Sequence, residues 1–144
     1  MVKKKQFNNF LFTLILVVVL DQLTKILIKT GIIKINFIQN TGSLFGMMPG
    51  SSTYIIWFSL VVIGIFFYNY ENILKSNKIL KIGSGLIVGG ALGNLIDRIA
   101  YGGVIDFIDI GWWPSFNIAD SALCTGIGLL FIYFLFEDKF KKKK

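Results

Sequence analysis

Eight carboxylates carry most of the chemical potential of this sequence, which has no histidine and one cysteine among 144 residues. Without histidine there can be no Ser-His-Asp triad, no Cys-His pair and no HExxH zinc site. One cysteine excludes an intrachain disulfide and any multi-cysteine metal site. Catalysis must therefore come from carboxylates, lysines or hydroxyls. The acidic residues are Asp21, Glu71, Asp97, Asp106, Asp109, Asp120, Glu137 and Asp138.

Asp106 and Asp120 are the two carboxylates whose positions best suit joint chemistry. Asp106 follows a turn at Gly102-Gly103, and Asp120 falls in the first turn of a helix that Asn117 can cap. The short connection between them predicts that they could face each other. Like charges at contact distance share one proton, so one carboxylate can act as base on water while the other polarises a carbonyl. Spacing alone leaves a capping carboxylate, a polar anchor, an ion site and a proton path open.

The chain is strongly apolar: hydrophobic residues make up 54% of it, charged residues 16%, and the mean hydropathy is +0.68. Its apolar residues are concentrated in four segments, and these segments must position the acidic side chains. The segments cover about residues 10–28, 53–70, 82–100 and 118–136, and each has the 18 or 19 residues that can span a bilayer. The sequence therefore predicts an all-α polytopic membrane protein with four transmembrane helices. They form one membrane-embedded domain over residues 1–144.

Lysine placement predicts the orientation of these helices, since cytoplasmic loops are enriched in Lys and Arg. If all four segments span, three clusters fall on one side: Lys3–Lys5, then Lys75, Lys78 and Lys81, then Lys139 with Lys141–Lys144. Both termini are therefore predicted to be cytoplasmic. The net charge of +7 is attributed to topology and the membrane surface, not to a nucleic-acid partner. No small-x-small cleavage site follows the first apolar run, so we interpret it as an uncleaved helix.

Two connections, about residues 29–52 and 101–117, are then predicted to face outward. Within residues 34–40 of the first connection, Ile35 and Phe37 would share one face of an extended strand, with Asn36 and Ile38 on the other face. This pattern predicts a short outward strand or hairpin within a loop region.

The third apolar segment combines small residues with polar ones. Gly85, Gly89 and Gly93 recur every four residues, a spacing that lets another helix pack closely. Asn94 shares a helix face with Asp97 and Arg98, because the three stand at i, i+3 and i+4. We expect Asp97 to neutralise Arg98 or another outward cation, while Asn94 and Arg98 could also present donors to a bound polar group.

Five stretches of this sequence resemble the lipoprotein signal peptidases, also called type II signal peptidases. They occur in that family's order and cover nearly the whole chain, from about residue 10 to 136. The stretches are Asp21-Gln22-Leu23-Thr24-Lys25, residues 40–46 (Asn40 to Gly46), residues 89–98 (Gly89 to Arg98), Val104-Ile105-Asp106-Phe107 and Phe116-Asn117-Ile118-Ala119-Asp120.

The resemblance implies an aspartic endopeptidase of the bacterial plasma (inner) membrane. It would remove the signal peptide of diacylglyceryl-modified prolipoproteins by cutting just before the lipid-modified cysteine, on the extracytoplasmic side. Asp106 and Asp120 would be catalytic, with Asp21, Lys25 and Asp97 as structural polar groups. The outward strand region would correspond to the family's small extracytoplasmic β-sheet and loop region. No cofactor or metal is implied, and the expected partners of a monomer are the substrate and membrane lipids. The implied supporting or substrate-contacting residues are Asn40, Gly42, Phe45, Asn94, Arg98, Asn117 and Ala119.

Departures from the family pattern are Ser43 and Leu44, where two alanines are usual, and a short stretch between Asp106 and Asp120. Asp109 is expected to be a surface carboxylate. Three other functions stay open: an ion- or proton-coupled transporter relaying through intramembrane aspartates, a carboxylate hydrolase with Mg²⁺ or Ca²⁺, and a non-catalytic membrane chaperone for lipoproteins.

Overall fold

The computed structural model of this protein describes residues 8–42 and 52–136, which form five helices and two short strands. Phe45 and the lysine clusters at both chain ends therefore lie outside the described residues. In chain order the elements are α1 (Asn9–Lys29), β1 (Ile38–Asn40), α2 (Ser52–Tyr68), α3 (Tyr70–Lys75), α4 (Lys78–Tyr101), β2 (Val104–Asp106) and α5 (Ile118–Leu135).

Three of the helices, α1, α4 and α5, are long and apolar enough to cross a bilayer. The protein is thus a polytopic membrane protein with a small two-stranded sheet. The remaining predicted segment, over about residues 53–70, corresponds to α2, an apolar helix of 17 residues. It ends at Tyr68, where the side chain and the backbone amide of Asn69 both donate to the Ile65 carbonyl, at 2.8 and 3.1 Å, and the short helix α3, which we did not predict, follows.

Side-chain caps determine where the helices around the sheet begin and end. The Asn77 side chain accepts a hydrogen bond from the Leu80 amide at 2.9 Å, so α4 begins four residues before the predicted start of its apolar segment. At its other end Gly102 takes a left-handed conformation with φ of 72° and turns the chain into β2. The predicted cap of α5 is confirmed, because Asn117 and Asp120 form a reciprocal capping box.

Helix α4 is the centre of the bundle, and its glycines let α1 and α5 approach from two sides. The predicted close packing is confirmed: a Cβ at Gly85 would lie 2.7 Å from the Phe10 carbonyl oxygen of α1. On the α5 side, a Cβ at Gly90 would collide with the carbonyl oxygen of Ala119. Close approach of this kind is how helices pack without a hydrophobic driving force between them.

The small sheet joins the chain before α2 to the chain after α4. Strands β1 and β2 are antiparallel, with Ile38 opposite Asp106 and Asn40 opposite Val104. The strand predicted over residues 34–40 is limited to its last three residues, and β2 is its partner within the described residues. This pairing brings the side chain of Asn40 next to β2.

The outer surface of the bundle is apolar, as expected for helices that face lipid. Helix α2 has no buried residue, and its Tyr54, Trp57 and Phe58 are all exposed. The buried polar groups of the described residues, apart from Ser84, gather in contrast at the end of the bundle where α1 and α4 end and α5 begins. The fold therefore places its polar interior beside the sheet.

Gly90→Ala tests whether the close contact between α4 and α5 supports this polar end. The added Cβ would force Ala119 away, so we expect a loss of about 1–3 kcal/mol of stability. Thermal unfolding in detergent measures it. Gly128→Ala is the matched control, because no atom lies within 4 Å of a Cβ at that position of α5. Equal stability of the two variants would contradict this account of the packing.

Candidate active site

Asp106 and Asp120 line the same cavity at the polar end of the bundle. Asp106 is the last residue of β2, and Asp120 lies in the first turn of α5. The cavity has a volume of about 180 Å³ and combines these carboxylates with a guanidinium and several apolar walls. Its lining residues are Asn40, Arg98, Val104, Asp106, Trp113, Ser115, Phe116, Asp120, Ser121 and Cys124.

Each oxygen of Asp106 accepts a hydrogen bond from an asparagine side chain. Asn117 Nδ2 donates to Oδ1 at 2.7 Å, and Asn40 Nδ2 donates to Oδ2 at 3.0 Å. The Asn40 amide is itself oriented, because its Oδ1 accepts from the Gly42 backbone amide at 3.0 Å. With 4% of its surface exposed, Asp106 is held in one place by two donors from different segments.

Asp120 is held in the same manner, and Asn117 takes part in both sets of bonds. Asn94 Nδ2 donates to Asp120 Oδ1 at 2.7 Å, and the Asn117 backbone amide donates to Oδ2 at 3.3 Å. The remaining hydrogen of Asn117 Nδ2 points to Asn94 Oδ1 at 3.1 Å. The three asparagines thus connect the two carboxylates through direct bonds.

The electrostatic environment of Asp106 favours its protonated form. Burial and, to a lesser extent, the nearby charge of Asp120 together raise the pKa of Asp106 to about 6, against the opposing hydrogen bonds from Asn40 and Asn117. A raised pKa is what a carboxyl group needs if it shares a proton with a neighbour at moderate pH. The site is therefore able to hold one ionised and one protonated carboxyl group.

Arg98 lies beside the carboxylates with much of its hydrogen-bonding capacity unused. Its Nη atoms are 3.4 Å from the carbonyl oxygens of Asn94 and Gly42, which are long contacts. Its Nε has no hydrogen-bond partner among the described residues, although the side chain is 9% exposed. Since Arg98 also lines the cavity, it has donors to offer to a bound group.

Beneath the cavity, Lys25 forms two buried ion pairs. Its Nζ lies 2.7 Å from Asp21 Oδ2 and 2.9 Å from Asp97 Oδ2. We expected Asp97 to neutralise Arg98 or another outward cation. In the structure its ion pair is with Lys25 and not with Arg98. Gln22, which we did not single out, donates to both acids; its place between Asp21 and Lys25 in the sequence was the available signal.

The remaining predicted residues lie at varied distances from this centre. Ala119 is fully buried and donates its backbone N–H to Asp21. Asp109 is exposed, as expected, and accepts from the Gly111 amide. Cys124 is exposed and lines the cavity together with Trp113.

No cluster of three or more potential metal ligands occurs among residues 8–42 and 52–136.

Fold and site together define a membrane protein whose centre is a pair of hydrogen-bonded carboxylates. Comparisons with known proteins identify the group to which it belongs. The family model described as signal peptidase (SPase) II matches residues 13–136.

Relatives with assigned names agree with that match. A lipoprotein signal peptidase of Syntrophomonas wolfei is 43% identical and covers 91% of this chain and 95% of its own. Another from Shouchella clausii is 36% identical and covers 90% and 94%. A solved structure of a bacterial membrane enzyme superposes with a TM-score of 0.82 at 32% identity, covering 100% of this chain and 98% of its own.

The chain therefore belongs to the signal peptidase II family and is an enzyme, a peptidase. The family predicted from the five sequence stretches is confirmed. Membership favours a peptidase over the transporter, the metal-dependent hydrolase and the chaperone that the residues had left open.

The raised pKa of Asp106 predicts a titration that can be observed directly. Infrared difference spectra should show Asp106 losing its proton near pH 6, and Asp106→Asn should lack that transition. Because folding raises this pKa, the group's contribution to stability is complete below its ordinary value of 3.8 and is lost as the pH rises through about 6. A transition near pH 3.8 would contradict the burial that we describe.

Proposed function

We propose that Asp106 and Asp120 are the catalytic pair of this signal peptidase, and that it removes the signal peptide of diacylglyceryl-modified prolipoproteins just before the lipid-modified cysteine. The observation that carries the proposal is their position in one cavity, joined through Asn117. The names of the relatives support the substrate class.

In the proposed reaction one of the two carboxylates takes a proton from a water molecule as it attacks the scissile carbonyl. The other, protonated, hydrogen-bonds the carbonyl oxygen and transfers its proton to it as the tetrahedral gem-diol forms. The resulting gem-diol collapses, the peptide C–N bond breaks, and a proton passes to the leaving amine. The hydrogen bonds to all four carboxylate oxygens keep both groups oriented, so little reorganisation is needed during the reaction.

The supporting residues divide between two tasks. Three side-chain amides already donate to the carboxylates: those of Asn40, Asn94 and Asn117. We therefore assign these residues to orienting the catalytic pair and not to binding the substrate. Arg98 lines the cavity and its Nη atoms make only long contacts with the protein, so we assign its guanidinium to a carbonyl or lipid ester oxygen of the substrate. Ala119 holds the backbone next to Asp120, and Gly42 orients Asn40.

We also propose that α2 spans the membrane as a fourth helix, with both termini in the cytoplasm and the cavity at the extracytoplasmic face of the inner membrane. Its length of 17 residues is at the short end of the range for a span. The lysine clusters in the sequence support this orientation. The protein would act as a monomer, with substrate entering from the surrounding lipid.

Asp106→Asn and Asp120→Asn should each lower cleavage of a diacylglyceryl-modified prolipoprotein by at least about 10³-fold, because either change removes the shared proton. A gel-shift assay with purified enzyme measures processing. Asp109→Asn is the matched control, since this exposed carboxylate lies three residues from Asp106 and should be dispensable.

Normal processing by Asp106→Asn or by Asp120→Asn would contradict the assignment of these two residues as the catalytic pair. Loss of wild-type cleavage in EDTA would instead favour the carboxylate-metal hydrolase. Ion flux in proteoliposomes without proteolysis would favour the transporter.

The proposed topology predicts that a reporter fused after residue 144 stays in the cytoplasm. A C-terminal green fluorescent protein should therefore fluoresce, whereas alkaline phosphatase in the same place should be inactive. Fusion within the connection at Trp112 should reverse both results. An active phosphatase at the C-terminus would show that an odd number of segments spans.

A further inference from the structure

The buried ion triad of Asp21, Lys25 and Asp97 makes a set of backbone contacts that a purely structural role does not explain. Asp21 Oδ1 accepts the backbone N–H of Ala119 at 2.9 Å. Asp97 Oδ2 accepts the backbone N–H of Ile105 at 3.1 Å. Ala119 directly precedes Asp120, and Ile105 directly precedes Asp106. Each acid of the triad therefore holds the peptide unit next to one member of the catalytic pair.

One ammonium group connects these two anchors. Lys25 Nζ lies 2.7 Å from Asp21 and 2.9 Å from Asp97, and all three side chains are almost completely buried. Strand β2 and helix α5, which carry the two catalytic aspartates, are thereby tied to a single point on α1. We infer that this triad is a positioning device that sets how Asp106 and Asp120 face each other, an inference that rests on the proposed function.

Gln22 supplies a second bridge between the same two acids. Its Nε2 lies 3.2 Å from Asp21 Oδ2 and 3.0 Å from Asp97 Oδ1, and it also reaches the Gly93 carbonyl at 3.1 Å. Two bridges limit the relative movement of the acids more than one does, because the carboxylates cannot pivot about the lysine. Gln22 is thus a positioning residue alongside the triad.

The lysine also makes a long contact with the side chain that holds Asp120. Its Nζ is 3.4 Å from Asn94 Oδ1, the oxygen that also accepts from Asn117. With its oxygen on that side, the Asn94 amide must turn its NH₂ group to Asp120. The triad therefore controls both the backbone and one side-chain donor of the catalytic pair.

Energetics support positioning as the reason for so many buried charges. A buried ion pair commonly adds little stability compared with apolar residues of the same volume, since desolvation offsets the attraction. Two carboxylates with one lysine leave one excess negative charge in the interior. Such a cluster is explained more simply by the geometry that it imposes than by the stability that it contributes.

Asp97→Asn is the principal test, because asparagine keeps an acceptor for Ile105 but loses the charge that Lys25 binds. We expect kcat to fall on the order of 10²-fold with KM within about threefold, as for a displaced catalytic group. The bell-shaped pH profile of kcat should also become narrower, because two carboxylates that move apart interact less. Arg98 and Lys25, the cations facing the pair, are unchanged in this variant.

Val88→Ala provides the matched control for lost stability. Val88 is fully buried on α4 in the apolar cluster with Phe10 and Leu14, away from the polar end. This variant should lower the unfolding temperature while the kcat of each folded molecule and its pH profile stay as in the wild type. If Asp97→Asn behaves like Val88→Ala, the triad is a stabilising feature and the inference is wrong.

Gln22→Met keeps the test decisive if Asp97→Asn fails to fold. Methionine has a similar volume but no donor, so this variant removes the second bridge and leaves the ion triad charged as before. We expect kcat to fall about two- to tenfold, as for the loss of one hydrogen bond, with the same narrowing of the pH profile. An unchanged kcat and profile would overturn the inference.

These outcomes are distinct from failure of the proposed function. The function fails if Asp106→Asn or Asp120→Asn still processes the prolipoprotein, whatever the triad variants do. The inference fails if both aspartates are essential and the triad variants nevertheless retain the wild-type kcat profile.

Discussion

Two carboxylates that repel each other must be kept together at the edge of an apolar bundle, and most of this structure can be understood from that constraint. Four N–H donors, three of them from asparagine side chains, bind the four oxygens of Asp106 and Asp120. The donors come from separate parts of the chain: β1, α4 and the start of α5. The pair can form only after these segments have come together.

The helices meet this requirement through close packing around α4. Its glycines admit α1 on one side and α5 on the other, which brings Asp21 within reach of the first turn of α5. A bulkier α4 would separate the segments that carry the two aspartates. Close helix packing and the geometry of the site are therefore two aspects of one arrangement, although the glycines and the catalytic residues lie in different stretches of sequence.

The sequence predicted the parts of this fold that depend on local patterns. Apolar length identified the helices, the glycine spacing of α4 identified its close contacts, and Asn117 identified the cap of α5. Strand β1 was harder, because its length depends on a partner beyond α4. The break at Asn69, where side chain and backbone amide share the Ile65 carbonyl, interrupts an apolar segment whose composition predicts one continuous helix.

Contacts between distant residues limited the prediction of the site in the same way. Resemblance to the family's motifs identified Asp106 and Asp120 as candidates. No spacing rule, however, indicates that Asp97 forms its ion pair with Lys25 and not with Arg98. The role of Gln22 likewise depends on two acids from different helices. Cys124 and Trp113 became cavity residues only when α5 and the loop that precedes it were placed against β2.

The pH dependence of single-turnover cleavage tests the central claim most directly, because it reports on the two carboxyl groups during the chemical step. The account predicts a bell-shaped profile for the wild-type enzyme, since the reaction needs one ionised and one protonated carboxyl group. A profile with a single limb, in which activity persists when both groups are ionised, would contradict the shared proton and with it the proposed catalytic pair.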